Sequence, residues 1–282
     1  MNSGRAVLVT GASTGIGYAT ALLLAQSGYT VFGGVRSPQD AQRLRNAHQR
    51  IQPIQLDITR SDEIAAAAEH IRLNGTPLYG LVNNAGIAVA GPLEYLPMDE
   101  IRRAFEVNVF GALAMTQAAL PLLRAANGRI IFMSSVSGQI APPLLGPYAA
   151  SKFALEAFAD SMRMELSAFG IPVSVIQPGN VRTPIWGKGR QNREALAERM
   201  PAQALERYGA GIDALLRITE REEHTGMDPS VIAFTVLTAL HARRPHARYA
   251  VGAPAGWQRR MAMLLPERLR DRLILRTMSN DI

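Results

Sequence analysis

The sequence contains no cysteine. Disulfides, thiolate metal centres and a cysteine nucleophile are therefore excluded. Its five histidines (His48, His70, His224, His241 and His246) are scattered, and no two stand at metal-ligand spacing, so no metal site is expected. Lysine is almost absent: Lys152 and Lys188 are the two lysines among thirty basic residues. Aromatic residues make up 6% of the chain and the arginines are dispersed, which argues against a nucleic-acid partner. The apolar runs are too short to span a bilayer. No apolar leader precedes the first strand-like run, because Met1–Arg5 passes directly into Ala6-Val7-Leu8-Val9-Thr10; the expectation is a soluble, cytoplasmic protein.

What is present is a chain of 282 residues, 48% of them hydrophobic, with a net charge of +7. Short β-branched runs alternate with helix-period segments. Strands are expected at Ala6–Thr10, Tyr29–Val35, Ile51–Leu56, Leu78–Val82, Arg129–Ser134 and Val173–Gln177. Helices are expected at Ile16–Gln26, Pro38–Gln49, Ser61–Asn74 with Ser61 as N-cap, Asp99–Ala125 as one long helix, and Tyr148–Phe169. Strict alternation predicts an α/β fold, a doubly wound parallel sheet with helices on both faces. Residues 181–227 are polar, rich in Arg and Glu and weakly periodic, as in a functional lid. Ser230–Ala242 reads as a further helix near a cap at Asp228 or Ser230, and Arg248–Val251 as a last short strand.

The segment Thr10-Gly11-Ala12-Ser13-Thr14-Gly15-Ile16-Gly17 closes the first strand and opens the first helix. A glycine turn at a helix N-terminus aims backbone N–H groups and the helix dipole at an anionic pyrophosphate. About twenty residues beyond such a loop, NAD-binding folds place a carboxylate for the ribose 2′-hydroxyl. Here the second strand ends in Gly34-Val35-Arg36-Ser37, without a carboxylate. Arg36 suits a 2′-phosphate and Ser37 adds a hydroxyl, so NADP(H) is favoured over NAD(H); a surface arginine beside an NAD site is the alternative.

Tyr148 and Lys152 stand four residues apart on one helix face. A phenol titrates near pH 10, too high for ready proton exchange at neutrality. An adjacent ammonium favours the phenolate and suits the tyrosine to proton exchange with a carbonyl or alcohol oxygen. Ser135, at the end of the fifth strand, would polarise that oxygen alongside it, with Ser134 and Ser137 as alternatives.

In combination, Thr10–Gly17, Asn83-Asn84-Ala85-Gly86, Ser135, Tyr148-x-x-x-Lys152 and Pro178-Gly179 resemble the ordered motifs of the short-chain dehydrogenase/reductase family. The resemblance covers residues 4–184, and the overall pattern is most similar to the hydroxysteroid and retinol dehydrogenase-like branch. It implies one Rossmann-type catalytic domain over residues 1–282, with strand order 3-2-1-4-5-6-7, a lid at 181–227 and a C-terminal helical extension at 254–282. It also implies a tetrad of Asn108, Ser135, Tyr148 and Lys152, in which the Asn108 side chain anchors a water for proton relay. The cofactor would be held by Gly11, Ser13, Thr14, Gly15, Ile16, Gly17, Arg36, Ser37, Tyr148 and Lys152. By the same resemblance Asp57 touches the adenine amino group, Ile58 packs on the ring, and Asn84, Ala85 and Gly86 line the adenosine side. Pro178, Gly179, Val181 and Thr183 would hold the nicotinamide carboxamide.

Residues 136–147 are largely apolar and uncharged. Together with Ser137, Leu144, Leu145 and Trp186 of the lid they imply an apolar ketone or secondary alcohol, steroid-, retinoid- or lipid-like. The resemblance implies a homodimer or homotetramer formed through the helices at 99–125 and 148–169. The basic, apolar tail from Trp257 to Met278 has two readings: a helix that closes the pocket or packs on a second subunit, or a peripheral membrane contact. A dinucleotide-sensing regulator that binds without turnover is the rival function, and the intact Tyr148/Lys152 pair argues against it.

Overall fold

The computed structural model describes residues 4–185, 200–252 and 265–279. Seven parallel strands form one sheet in the order β3-β2-β1-β4-β5-β6-β7. They are β1 (Ala6–Val9), β2 (Thr30–Val35), β3 (Ile51–Gln55), β4 (Leu78–Asn83), β5 (Arg129–Met133), β6 (Val173–Pro178) and β7 (Arg248–Val251). The strands at the centre are buried on both faces, and successive residues feed opposite layers. Ala6 and Leu8 of β1 join Ile130 and Phe132 of β5 in one core. Val7 and Val9 join Ile131 and Met133 in the other.

The second core is covered by α1 (Gly15–Gln26) and by α8 (Pro229–His241), which pack on each other. Leu44 of α2 (Pro38–Ala47) is buried in it as well. Asp228 caps α8, its carboxylate accepting from the Ser230 amide at 2.9 Å. The first core lies under α3 (Ser61–Asn74), α5 (Ala112–Ala125) and α6 (Gly146–Glu165). Arg60, not Ser61, occupies the cap position of α3, and Ser61 is the first helical residue. The first turn of α3 instead carries Asp62 and Glu63, which suit the positive end of the helix.

The expected single helix at 99–125 is three pieces: α4 (Met98–Phe105), a π-helical turn (Glu106–Gly111) and α5. The turn brings Gly111 against Ile58, where an added Cβ would sit 2.6 Å from the Ile58 carbonyl oxygen. A π turn has i→i+5 hydrogen bonds and shifts the facing of the residues beyond it, which the reading of one uninterrupted helix over 99–125 does not anticipate. The combined stretch Met98–Ala125 is the one helix among the described residues long and apolar enough to cross a membrane. Here Ala112, Met115, Ala119 and Leu123 face the core, as in a core helix.

The described part of residues 181–227, the expected lid, is more regular than its sequence predicts. It is dominated by α7 (Ala202–Thr225), and a bridge between Val181 and Met227 ties the segment's two ends together. In the C-terminal extension, α9 (Glu267–Ser279) packs on α7. Trp186 and the first part of the basic tail, Trp257 to Leu264, lie outside the described residues.

Candidate active site

β1 and β4 are neighbours while their following connections diverge, and this switch in strand order opens a crevice at the carboxyl ends of the strands. Thr10, at the end of β1, ties the crevice floor: its hydroxyl accepts from the Asn84 and Ala85 amides, both at 3.0 Å. The Asn84 side-chain amide donates to the Thr10 and Gly11 carbonyls at 3.0 and 3.1 Å. Asn84 thus holds the glycine loop in shape while lining the cavity. Gly17 is pressed so close that a Cβ there would lie 2.5 Å from Asn84 Nδ2 and well inside contact distance of the Gly11 carbonyl oxygen.

One continuous cavity of about 560 Å³ runs from this loop to the lid. At one end stand Gly11, Ser13, Thr14, Gly15, Ile16 and Gly17, with Arg36, Asp57 and Ile58 beside them. Ala85 and Gly86 follow, then Ser135, Ser137, Tyr148 and Lys152 at the middle, with Pro178, Gly179, Val181 and Thr183 opposite. At the lid end Val136, Ile140, Leu145, Leu215 and Ile218 form an apolar wall.

Two sequence expectations are placed elsewhere. Ser37 is not on the cavity wall; its hydroxyl caps α2, accepting from the Asp40 amide at 3.1 Å and donating to the Asp40 carboxylate at 2.8 Å. Leu144 is not on the wall either; it adopts a left-handed conformation with φ of 66° and turns toward Gly211 of α7. Arg36 does reach the cavity, 70% exposed and 4.0 Å from the Asp57 carboxylate. Burial pushes the Asp57 carboxyl up, but hydrogen bonds from Thr59 and the charges of Arg36 and Arg60 outweigh it and hold the group below its usual range.

Tyr148 and Lys152 are both buried on the first turns of α6. Burial raises the phenol's affinity for its proton; a hydrogen bond with Ser135 works the other way, and the carboxyl of Glu222 adds to the rise. The expectation that Lys152 pulls the phenol down is not what dominates here. Its ammonium lies 5.7 Å from the ring centre and donates to the Met133 carbonyl at 2.8 Å. Burial brings Lys152 itself down to about 8, and Glu156, one turn on, opposes that fall. A protonated phenol beside a marginal ammonium is a proton donor in waiting. Ser135, whose oxygen also accepts from the Ser137 amide at 3.1 Å, is the serine at the phenol. Ser134 is buried with its hydroxyl unpartnered, next to Gly138 and away from Tyr148's bond.

Asn108 sits in the π turn. Its side chain donates to the Ile87 carbonyl and to Ser151 Oγ, both at 2.9 Å, and accepts from the Ile87 amide at 2.8 Å. Ser151 in turn donates to the Tyr148 carbonyl at 2.7 Å. The side chain expected to anchor a water is therefore engaged as a brace between the loop after β4 and the tyrosine's own helix. Asn108→Ala leaves the part-buried amide and carbonyl of Ile87 without these partners, so a loss of about 2–4 kcal/mol in unfolding free energy is expected in denaturant titration.

Sequence reasoning passed over Glu222, which lines the same cavity from α7; Arg270, in the tail that has a pocket-closing helix among its readings, lines it from α9. Glu222 stands in the run Glu220-Arg221-Glu222-Glu223, which reads as a solvated charged stretch. The available signal was its register with Leu215 and Ile218, on one helical face. Leu273 and Ile274 join Arg270 on the wall, so α9 borders the cavity.

The crevice fits a nicotinamide dinucleotide. Its glycine loop is open where any side chain would fill it, and the cavity continues from there to the buried Tyr148. Comparison with known proteins agrees. Residues 5–194 match the family model described as short chain dehydrogenase. The chain is 37% identical to mouse (Mus musculus) retinol dehydrogenase 5, over 95% of this chain and 87% of that one. It is 34% identical to the NADPH-dependent 3-dehydrocapnine reductase of Ornithobacterium rhinotracheale, over 95% of each. Among solved structures it resembles a short-chain dehydrogenase/reductase from Burkholderia phymatum in complex with NAD, with a TM-score of 0.76 and 25% identity over 88% of this chain and 89% of that one. With the parallel sheet, the glycine crevice and the buried Tyr148 and Lys152 in place, the chain belongs to the short-chain dehydrogenase/reductase family and is a nicotinamide-dinucleotide-dependent oxidoreductase.

Proposed function

We propose that this protein interconverts a ketone and its secondary alcohol with NADP(H), on a substrate whose body is mostly apolar. The observation that carries the reading is the continuity of one cavity from the glycine loop, past Ser135, Tyr148 and Lys152, to a wall of Val136, Ile140, Leu145, Leu215 and Ile218. When bound, the dinucleotide supplies or accepts the hydride at the carbonyl carbon. Tyr148 gives its phenolic proton to the carbonyl oxygen as the alcohol forms. The Ser135 hydroxyl donates a hydrogen bond to the same oxygen and polarises the carbonyl. Lys152 stabilises the phenolate left behind, and Asn108 keeps the tyrosine's helix in register with the loop at Ile87. In the reverse direction Tyr148 takes the proton back. The names of the relatives, a retinol dehydrogenase and an NADPH-dependent reductase, accord with hydride transfer to or from a small molecule.

Preference for NADP(H) rests on Arg36 at the cavity's edge and on the absence of a carboxylate at the end of β2. Ser37 contributes by starting α2 rather than by touching the phosphate. Arg36→Asp removes the cation and installs a ribose-binding carboxylate. The expected outcome is a fall of about 10–100-fold in kcat/KM for NADPH relative to NADH, measured with one ketone at fixed concentration.

The apolar side chains of Phe110, Phe153, Phe158 and Met164 are exposed on the outer side of the π turn and α6, as suits a homo-oligomer assembled through these helices. The tail is read as a wall of the pocket, since α9 presents Arg270, Leu273 and Ile274 to the cavity.

A further inference from the structure

Glu156 is a buried carboxylate to which the hydride and proton transfers above give no role. It stands four residues after Lys152, and both lie on the buried face of α6. A carboxylate in such a place is costly unless donors meet it. Two do: Gln177 Nε2 of β6 donates to its Oε1 at 2.8 Å, and Arg248 Nε of β7 donates to its Oε2 at 2.9 Å. The side chain also packs against the turn Val136–Gly138 that follows Ser135. A Cβ at Gly138 would lie 3.3 Å from Glu156 Oε1 and 2.6 Å from Ser134 Oγ. Glu156 thus joins the helix of Tyr148 and Lys152 to the serine turn and to β6, whose Pro178 borders the cavity.

Arg248 neutralises this charge only in part. Its Nη1 and Nη2 both go to Asp160, at 3.0 and 2.6 Å, which leaves one N–H for Glu156. One guanidinium therefore serves two carboxylates, and Arg163 of α6 answers Asp160 at 3.1 Å. Around Lys152 the other neighbours are neutral. From β5 it meets the Met133 carbonyl at 2.8 Å. From the loop after β4 it meets Gly86, whose added Cβ would stand 3.6 Å from Nζ and 3.3 Å from the amide oxygen of Asn108 in the π turn. On α6 Tyr148 keeps its phenolic proton, and Glu222 on α7 bears on that phenol. Among the described residues no carboxylate forms an ion pair with Lys152, and Glu156 is the charged neighbour that favours its ammonium against burial.

We propose that Glu156 is a positioning residue for the reaction: fixed by Gln177 and Arg248, it keeps Lys152 charged beside Tyr148, and Arg248 sets how much of its field Lys152 receives. The consequence for catalysis rests on the reductase reading above, in which a charged Lys152 supports the phenolate; the charge of Lys152 itself does not. The sign follows from the cluster. Without the carboxylate, burial acts on the ammonium unopposed and the lysine gives up its proton at lower pH. Without the guanidinium, Glu156 and Asp160 are less balanced and the lysine holds its proton to higher pH.

The composition makes the test direct, because Lys152 and Lys188 are the two lysines of the chain. In full-length protein labelled with carbon-13 lysine, NMR follows both side chains through a pH titration, and Lys188→Arg assigns them. The wild-type midpoint of Lys152 is expected at about 8. In Glu156→Gln it is expected about one pH unit lower. In Arg248→Gln, which keeps a donor for Glu156 and deletes the charge, it is expected higher. A residue that merely held α6 in place would move neither midpoint, or both in one direction. An unmoved or raised midpoint in Glu156→Gln, or an unmoved or lowered one in Arg248→Gln, overturns the proposal. Should Glu156→Gln not fold, Arg248→Gln decides alone. The descending limb of kcat/KM for ketone reduction is expected to follow the midpoints, to lower pH in Glu156→Gln and to higher pH in Arg248→Gln. A limb that stays in place while the midpoints move removes Glu156 from the reaction. If no ketone is reduced, the reductase reading fails by itself, and the NMR midpoints still decide whether Glu156 governs the charge of Lys152.

Discussion

Tyr148→Phe is expected to lower the turnover of ketones by about 1,000-fold, within the range that a positioned general acid supplies. In free energy this is about 4 kcal/mol of transition-state stabilisation. The substitution removes one oxygen from a buried side chain and leaves the ring in place. The Ser135 oxygen keeps the Ser137 amide as a partner, so the loss falls on chemistry and little on stability. Dinucleotide affinity, followed by nicotinamide fluorescence, should stay within a few-fold of wild type, since the glycine loop lies at the other end of the cavity. Turnover that survives in Tyr148→Phe would remove the tyrosine from the mechanism.

The same site fixes the pH dependence of reduction. Lys152, brought down by burial to about 8, is charged below that pH and neutral above it. Its charge supports the phenolate formed as Tyr148 gives up its proton, so kcat/KM for ketone reduction should descend above about pH 8. The stability effect has the opposite sense. A lysine depressed in the folded state binds fewer protons there than in the unfolded chain between about pH 8 and its ordinary value, so its destabilising share shrinks as pH rises through that window.

The second large effect belongs to Gly17→Ala. A single added carbon would sit 2.5 Å from Asn84 Nδ2 and against the Gly11 carbonyl, and neither is the free end of a flexible side chain. Asn84 is held by two backbone carbonyls, and Gly11 by its place in the turn after β1. The loop must therefore shift. Overpacking of this kind costs about 1–3 kcal/mol. That strain lies where the backbone receives the pyrophosphate, so NADPH affinity should fall by about 10–100-fold in a fluorescence titration. An unaltered dissociation constant in folded Gly17→Ala would mean that this loop does not hold the dinucleotide.

Much of this was legible in the chain itself, for physical reasons. Strands buried on both faces must be continuous apolar runs, so Ala6–Val9 and Arg129–Met133 announce themselves. The glycine loop is written at the one place where backbone must approach a ligand without a Cβ. Tyr148 and Lys152 are visible because helical spacing makes i and i+4 neighbours. What stayed hidden depends on contacts between distant segments. The π turn at Glu106–Gly111 brings Gly111 against Ile58, fifty-odd positions earlier, a contact that local periodicity does not carry. Ser37 carries a capping signal, Ser-x-x-Asp before a helix, which competes with its reading as a phosphate ligand; the local hydrogen bond wins. Glu222 sits in a charged run, and the docking of α7 onto the cavity turns one member of that run inward. Several of the dispersed arginines answer nearby carboxylates: Arg72 binds Glu69 at 2.6 Å, and Arg248 clamps Asp160 and the buried Glu156 at 2.6 and 2.9 Å. Among the described residues, Arg36 and Arg270 are the guanidinium groups that reach the cavity.

The central claim is that a dinucleotide in the glycine crevice and a carbonyl at Tyr148 react in one cavity. The most direct test incubates wild-type protein with NADPH and a panel of medium-chain ketones. Loss of the nicotinamide absorbance and the alcohol formed are measured together. The account predicts that one alcohol appears for each NADPH consumed. Tight NADPH binding with no alcohol from any member of the panel would contradict it, and would make the protein a dinucleotide-binding regulator instead.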